Sequence, residues 1–236
     1  MKPTPKPAPE ILYEDNRLMV VYKPVGLLSH ADKKLKEPDL LTVLNERFVK
    51  TQTEDLQIAT RLDFNTDGLV VIAKGRANAE IVNKAVARNL IKKTYHAVVV
   101  GYMPKASDLL VSFLLKDSES GMVKISPEPI GDAKPIQTGY VVLDEQNGMS
   151  LLEIDLITGK THQIRAHLAS VGHALIGDPL YGHHNLNKRM NIKTQALSAV
   201  RIFFDIQAKS HPLHDLNGLV FERKNPWLTQ ILQQKR

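Results

Sequence analysis

The stretch TGYVVLDEQNGMSLLEIDLI, residues 138–157, decides the fold class. Two apolar runs, residues 138–146 and 149–157, flank Asn147-Gly148. Asn-Gly between such runs is the strongest short-range hairpin signal, because a two-residue turn needs positive φ at both central positions. The stretch therefore predicts two antiparallel strands. Upstream, residues 109–116 and 122–125 flank a Ser/Gly turn and predict a second hairpin. Hairpins of this kind outweigh strand–helix–strand units along the chain. That predicts an α+β fold, an extended, mostly antiparallel sheet with flanking helices.

Working towards the N-terminus, residues 94–100 read as a strand closed by Gly101. Residues 75–90 read as a helix, with Ile81, Val82, Ala85 and Val86 on one stripe. Leu69-Val70-Val71-Ile72-Ala73 reads as a buried strand over 68–74. Residues 18–22 form another apolar run, ended by Lys23-Pro24 and a turn at Gly26. Residues 1–9 alternate proline with small or basic residues, which predicts an extended, solvated tail. Towards the C-terminus, residues 161–171 read as a helix with Ile164, Leu168 and Val171 on one face and Gly172 as its stop. Strand-like segments follow at 173–176 and 200–206, and residues 226–236 read as a terminal helix. No internal repeat or linker interrupts this pattern. The expected organisation is a disordered proline-rich tail over 1–10 and one catalytic domain over 11–236.

Composition narrows the function classes. The 236 residues are 43% apolar and 24% charged, as expected of a chain that buries a core. There are 31 basic and 25 acidic residues, net +6, a mild bias towards a polyanionic partner. The chain has no cysteine, which excludes disulfide scaffolds, thiolate zinc sites and cysteine nucleophiles. No run approaches the roughly 18 apolar residues of a membrane helix, and the N-terminus lacks the apolar core of a signal peptide. The expected location is the cytoplasm, with no membrane partner.

Two segments carry the candidate chemistry. In Arg61-Leu62-Asp63-Phe64-Asn65-Thr66-Asp67-Gly68-Leu69, the acidic residues and glycine imitate the start of a calcium loop. Such a loop needs a bidentate glutamate at its twelfth position. Counted from Asp63, that position is Lys74, a cation. A polar turn before a strand accounts for the segment alone. The second segment runs from Thr158 to Ala169. Its His162 and His167, with His173 beyond, do not have the i, i+4 spacing of a zincin, so hydrogen-bonded histidines are expected rather than a metal site. A serine-nucleophile elbow, a P-loop and a dinucleotide fingerprint are all missing.

Together the motifs form a pattern. Ile11-Leu12-Tyr13-Glu14-Asp15 through Val20-Val21-Tyr22-Lys23-Pro24-Val25-Gly26-Leu27 resembles the opening motif of the RluA family of pseudouridine synthases. Arg61-Leu62-Asp63 with Thr66-Asp67-Gly68-Leu69 resembles its catalytic motif, and Lys92-Lys93-Thr94-Tyr95-His96-Ala97 its lysine–tyrosine strand. Gly159 to Leu168 resembles its third motif, and Gly177-Asp178-Pro179-Leu180-Tyr181-Gly182 the sequel. The order and spacing fit from about residue 11 to 220.

The resemblance implies the pseudouridine synthase fold with a central RNA-binding cleft. It implies that Asp63 is the essential aspartate, Tyr95 the stacking tyrosine and Arg165 the arginine partner of the aspartate. Arg61 matches a residue that enters the RNA stack. Lys23 and Leu197 match supporting positions, and with Lys92, Lys93, Lys160 and His162 they are candidates for RNA contact. The expected partner is ribosomal RNA first and transfer RNA second, bound by a monomer with no obligate protein partner. With ten residues before the first motif, no S4-type domain is expected. Thr60, Asp67 and Ser198 depart from the family pattern, which commonly has histidine, serine and histidine there. The alternative on the same scaffold is an RNA-binding or RNA-folding module in which catalysis is dispensable.

The chemistry explains these residue types. The implied reaction breaks the N1–C1′ bond of uridine, turns the base, rejoins it through C5 and then releases the C5 proton. No redox change occurs, so no cofactor is expected. Positive charge builds on the sugar as the bond breaks, as in glycosidases. An ionised Asp63 either attacks C1′ or takes a proton from C2′. A guanidinium favours the charged carboxylate and offers a planar, bidentate partner that lysine lacks. The base must first leave its stack, at a cost of a few kcal/mol, and an aromatic ring then holds it.

Overall fold

The computed structural model describes residues 8–31, 37–47, 55–117 and 121–235. In chain order the strands and helices are β1 (Glu10–Glu14), β2 (Leu18–Lys23), α1 (Leu40–Arg47), β3 (Leu56–Ile58), β4 (Asp67–Lys74), α2 (Gly75–Ala87) and β5 (Ile91–Val100). Then come β6 (Ser107–Lys116), β7 (Val123–Ser126), β8 (Lys134–Gln146), β9 (Met149–Asp155), α3 (Gln163–Ser170), α4 (His184–Arg189), β10 (Leu197–Phe204), β11 (Val220–Glu222) and α5 (Pro226–Gln233). The class is α+β, as the hairpin pattern predicts. The proline-rich tail falls mostly outside the described residues, and its predicted end at residue 10 is already in β1.

The chain forms two compact units. The first comprises the described residues up to Lys92 together with Ala199–Arg223. Its strands lie in the order β1-β2-β4-β10, with β3 also on β4 and β11 on β10. β4 is buried at every position, which is why it reads as an unbroken apolar run. The helix α2 packs on β4 through Ala79, Val82 and Ala85. Ile81 and Val86, predicted on the same stripe, are only partly buried against this core.

One glycine fixes the spacing of two strands. Gly68 has φ +128°, and a Cβ built on it would lie 2.3 Å from the Ala199 carbonyl oxygen. Gly68→Ala is therefore expected to cost more than about 3 kcal/mol, because main chain rather than a side-chain tip must move. An unchanged urea midpoint for that variant would contradict so close an approach.

The second unit comprises Lys93–Ser198 and the residues from Lys224 onward. Its strands lie in the order β5-β9-β8-β6-β7, and the β5·β9, β9·β8, β8·β6 and β6·β7 pairs are antiparallel. Gln146 pairs with Met149 across Asn147 and Gly148, whose φ values are +51° and +68°. These are the angles a primed two-residue turn requires. A register shift between Val142 and Asp144 marks a bulge at Leu143. The helix α3 packs against β6, β7 and β8, and α5 against β8 and β9. Two predicted boundaries move. Residues 173–176 form one isolated bridge, Val99 with Leu175, rather than a strand. The third-motif helix starts at Gln163 rather than at 161, because His162 is left-handed at φ +53°.

Candidate active site

Asp63 belongs to the first unit, where main-chain bonds hold its turn. The Thr66 N–H donates to the Asp63 carbonyl at 3.0 Å, closing the turn itself. Ser29 Oγ donates to the Leu62 carbonyl at 2.7 Å and accepts from the Leu62 N–H at 3.0 Å. The Gly26 N–H donates to the Phe64 carbonyl at 3.0 Å. Thr60 anchors the entry: its N–H donates to the Val71 carbonyl at 3.2 Å, and its Oγ1 accepts from the Val71 N–H at 2.8 Å. This is what the departure at Thr60 does in this chain. Asp63 is half-buried on this frame, while Arg61 is exposed.

Lys23, expected among the RNA contacts, is fully buried. Its ammonium donates to the carbonyls of Pro24 at 3.1 Å and Leu27 at 2.8 Å. Burial brings it down to about 8, opposed by the charges of Asp67 and then Asp63. It therefore braces the turn that holds Phe64 and does not reach solvent. Asp67 is also buried and accepts from Tyr22 Oη at 2.7 Å. Lys74, which argues against calcium, pairs with Glu14 at 2.5 Å. Lys92 pairs with Asp205 at 2.6 Å and lies 5.9 Å from the centre of the Phe203 ring.

Tyr95 and Arg165 belong to the second unit. Tyr95 is buried on β5, opposite Ile154 of β9. Arg165 is buried on α3, and its Nε and Nη2 donate to the two carboxylate oxygens of Asp178 at 2.7 and 2.9 Å. Burial alone would raise the Asp178 carboxyl. The Arg165 bonds and charge, with the Tyr181 and Leu180 N–H groups, outweigh it and hold the carboxyl below its ordinary range. The Tyr181 ring lies 5.3 Å from the guanidinium, and its hydroxyl shares a 3.1 Å hydrogen bond with His162 Nδ1. Arg165 is thus fixed on one side by a carboxylate and flanked by a ring. Sequence reading missed Asp178 and Tyr181 as its supports, although both lie in the quoted GDPLYG segment.

The entry to α3 explains the third motif. Gln163 Oε1 accepts from the Lys160 N–H at 3.1 Å and from Thr158 Oγ1 at 2.9 Å. Its Nε2 donates to the Gln137 carbonyl and to Thr138 Oγ1, both at 3.0 Å. This buried amide ties the turn to β8. Three histidines have separate partners: His162 has Tyr181, His167 has Thr138 Oγ1 at 3.0 Å, and His173 has the Val100 carbonyl at 3.0 Å. Among the described residues, no group of three or more His, Cys, Asp or Glu side chains is placed to hold a metal ion. Lys93 is brought down by burial, opposed by Asp155. Lys160 is exposed, Leu197 is buried, and Ser198 is buried at the start of β10.

A protein-family model described as RNA pseudouridylate synthase matches residues 17–170, which contain the Asp63, Tyr95 and Arg165 motifs. The chain belongs to that family. Its RluA-type motifs agree with its relatives. An uncharacterized RNA pseudouridine synthase of Mycoplasma genitalium is 32% identical over 95% of this chain and 73% of its own length. Ribosomal large subunit pseudouridine synthase D of Nitrosomonas europaea is 34% identical over 73% of this chain but 49% of its own length. The chain thus spans about half of that curated relative. The solved structure of human RNA pseudouridylate synthase domain containing 1 shares the fold, at a TM-score of 0.75 and 22% identity over 98% of this chain and 89% of that one. Among the described residues no helix is long and apolar enough to cross a membrane.

Proposed function

We propose that the chain isomerises specific uridines of structured RNA to pseudouridine, with ribosomal RNA the first candidate and transfer RNA the second. Residues 11–236 act as one catalytic domain, as a cytoplasmic monomer without a cofactor. Asp63 is the carboxylate that breaks the glycosidic bond. Arg165 is its guanidinium partner, and Tyr95 stacks on the released base. Arg61 enters the RNA stack where the base leaves, and the exposed Lys160 meets a phosphate.

The observation that carries this reading is the frame around Asp63. A half-buried carboxylate sits on a turn held by the Gly26 N–H and Ser29 Oγ, with Thr60 at its entry anchored on Val71. Such rigidity suits a group that must be held in productive geometry against C1′ or C2′. Support comes also from relatives whose names specify the large ribosomal subunit.

The test is carbodiimide mapping of pseudouridines across ribosomal and transfer RNA in the source strain, a deletion strain and a strain carrying Asp63→Asn. Loss of the same mark in both mutants is expected and names the substrate. Marks that persist in both, together with inactive purified protein, would overturn the reading. Tyr95→Phe keeps the stacking ring but removes the hydroxyl proposed to help take the C5 proton, so it is expected to bind RNA within about twofold of wild type yet turn over on the order of 10²-fold more slowly, as for a lost proton-transfer group. Unchanged turnover in a single-turnover assay would remove any role for the hydroxyl.

A further inference from the structure

Asp67 stands where the family pattern commonly has serine, one residue before Gly68 at the start of β4. The substitution puts a carboxylate in a place that is 3% exposed. A buried carboxylate needs hydrogen bonds or a counter-charge. Tyr22 Oη gives it a 2.7 Å hydrogen bond. Lys23 gives it a charge: in the β2·β4 ladder Lys23 lies opposite Gly68, the residue after Asp67. Both charged groups are buried in the same unit as the Asp63 turn.

We propose that Asp67 is a positioning residue whose carboxylate keeps the buried Lys23 ammonium protonated beside the Asp63 turn, and so sets the alkaline limit of turnover. The proposal rests on Asp63 being the catalytic carboxylate. Lys23 reaches the turn by a short route. Its ammonium bonds the Pro24 and Leu27 carbonyls, on either side of Gly26, and the Gly26 N–H holds the Phe64 carbonyl. Hydrogen bonds from a cation are roughly twice as strong as neutral ones. Loss of the proton loosens this brace and removes positive potential facing Asp63.

The charged and titratable groups around this pair come from several elements. Asp67 is on β4, Asp63 on the turn before it, and Tyr22 on β2. Arg223, just beyond β11, lies 4.4 Å from the centre of the Tyr22 ring and pairs with Glu10 of β1 at 2.6 Å. Burial, then the Asp67 hydrogen bond and charge, hold the Tyr22 phenol above its ordinary range, so it stays a neutral donor. Burial drives Lys23 down to about 8, and Asp67 is the larger of the two charges opposing that. Removing the Asp67 charge makes Lys23 lose its proton at a lower pH. The alkaline limb of kcat/KM must then move down, not up.

The experiment uses the full chain with [13C]lysine, reading the Lys23 Cε shift against pH in wild type, Asp67→Asn and Tyr22→Phe. The Lys23 signal is assigned with Lys23→Met. Asp67→Asn is expected to lower the Lys23 midpoint by about one pH unit, while Tyr22→Phe, which keeps the carboxylate, moves it far less. In parallel, the ratio of kcat/KM at pH 8.5 to that at pH 6.5 is measured on an RNA transcript carrying the mapped uridine. That ratio is expected to fall roughly sixfold in Asp67→Asn, the change that a midpoint moved from about 8 to about 7 produces. A Lys23 midpoint unmoved by Asp67→Asn overturns the proposal. So does an equal shift in Tyr22→Phe, which would make geometry rather than charge the cause. Turnover surviving Asp63→Asn would instead sink the catalytic reading, while the titration of Lys23 still decides the Asp67–Lys23 coupling.

Discussion

Asp63→Asn is expected to lower turnover by at least about 10⁴-fold and to leave RNA affinity within about twofold, the pattern of an interaction made only in the transition state. Asparagine has the same size and shape but can neither attack C1′ as an anion nor take a proton from C2′. The turn does not depend on the carboxylate for its main-chain frame. It is closed by Thr66 and tied by Gly26, Ser29 and Thr60. The variant should therefore fold, and its thermal midpoint checks that it has. Tritium release from RNA labelled at uridine C5 measures the isomerisation directly. Substantial release by the variant would end the mechanism in either of its forms. Retained modification of RNA folding in cells, with tritium release lost, would favour the binding-module alternative for the biological role.

Asp178→Asn is expected to lose about 3–5 kcal/mol of stability, because it takes the bidentate carboxylate away from the buried Arg165 guanidinium. Arg165 and Asp178 side chains are 5% and 0% exposed, so solvent cannot replace the lost charge. The pH dependence has a definite sign. The folded Asp178 carboxyl lies below its unfolded value of 3.8. Its contribution is present above that value and is lost as the pH falls through the folded one. The gap between wild type and variant should therefore be widest at neutral pH and narrow below about pH 4. His167 adds an acid slope common to both proteins. Burial holds it down to about 4 from 6.5, so its contribution is lost as the pH falls through that interval. Urea titrations at several pH values measure the gap. A gap that widened in acid would contradict the ion pair. Replacing both partners by apolar side chains, Arg165→Met together with Asp178→Leu, should recover much of the stability but no turnover. Recovery of both would show that Arg165 serves the fold alone.

Much of the fold was legible because backbone chemistry is local. Asn147-Gly148 names its own turn, and the unbroken apolar run of β4 names a strand covered on both faces. The short elements were not legible. β3 and β11 have three residues each, too few to show a period, and exist because β4 and β10 offer them a ladder. The helix α1 was missed as well. Its start depends on Asp39, which accepts from the N–H groups of Leu41 and Thr42. The reading of 173–176 as a strand followed its apolar content, but those residues bond singly to Val98 and Val100 on β5.

The candidate site was legible as residue types in order, not as supports. Asp63, Tyr95 and Arg165 stand in motifs that chemistry can interpret. Asp178 is thirteen residues from Arg165, and nothing local announces the bidentate bond. Lys23 was placed among the RNA contacts by resemblance, although nothing in its motif tells a solvated lysine from a buried one. The structure buries it at the end of a strand otherwise covered by core residues, where two carbonyls accept from its ammonium and the charges of Asp67 and Asp63 oppose the effect of burial. Charge alone could not have revealed that.

The discontinuity of the first unit has a consequence for synthesis on the ribosome. β4 ends at Lys74, but β10, its neighbour in the sheet order, begins its share of that unit at Ala199. About 125 residues separate them, so at 5–20 residues per second roughly 6–25 s pass between the two. During that interval one edge of an apolar strand waits in the nascent chain for its hydrogen-bonding partner, while the residues of the second unit's sheet, all encoded between the two halves, emerge in an unbroken series.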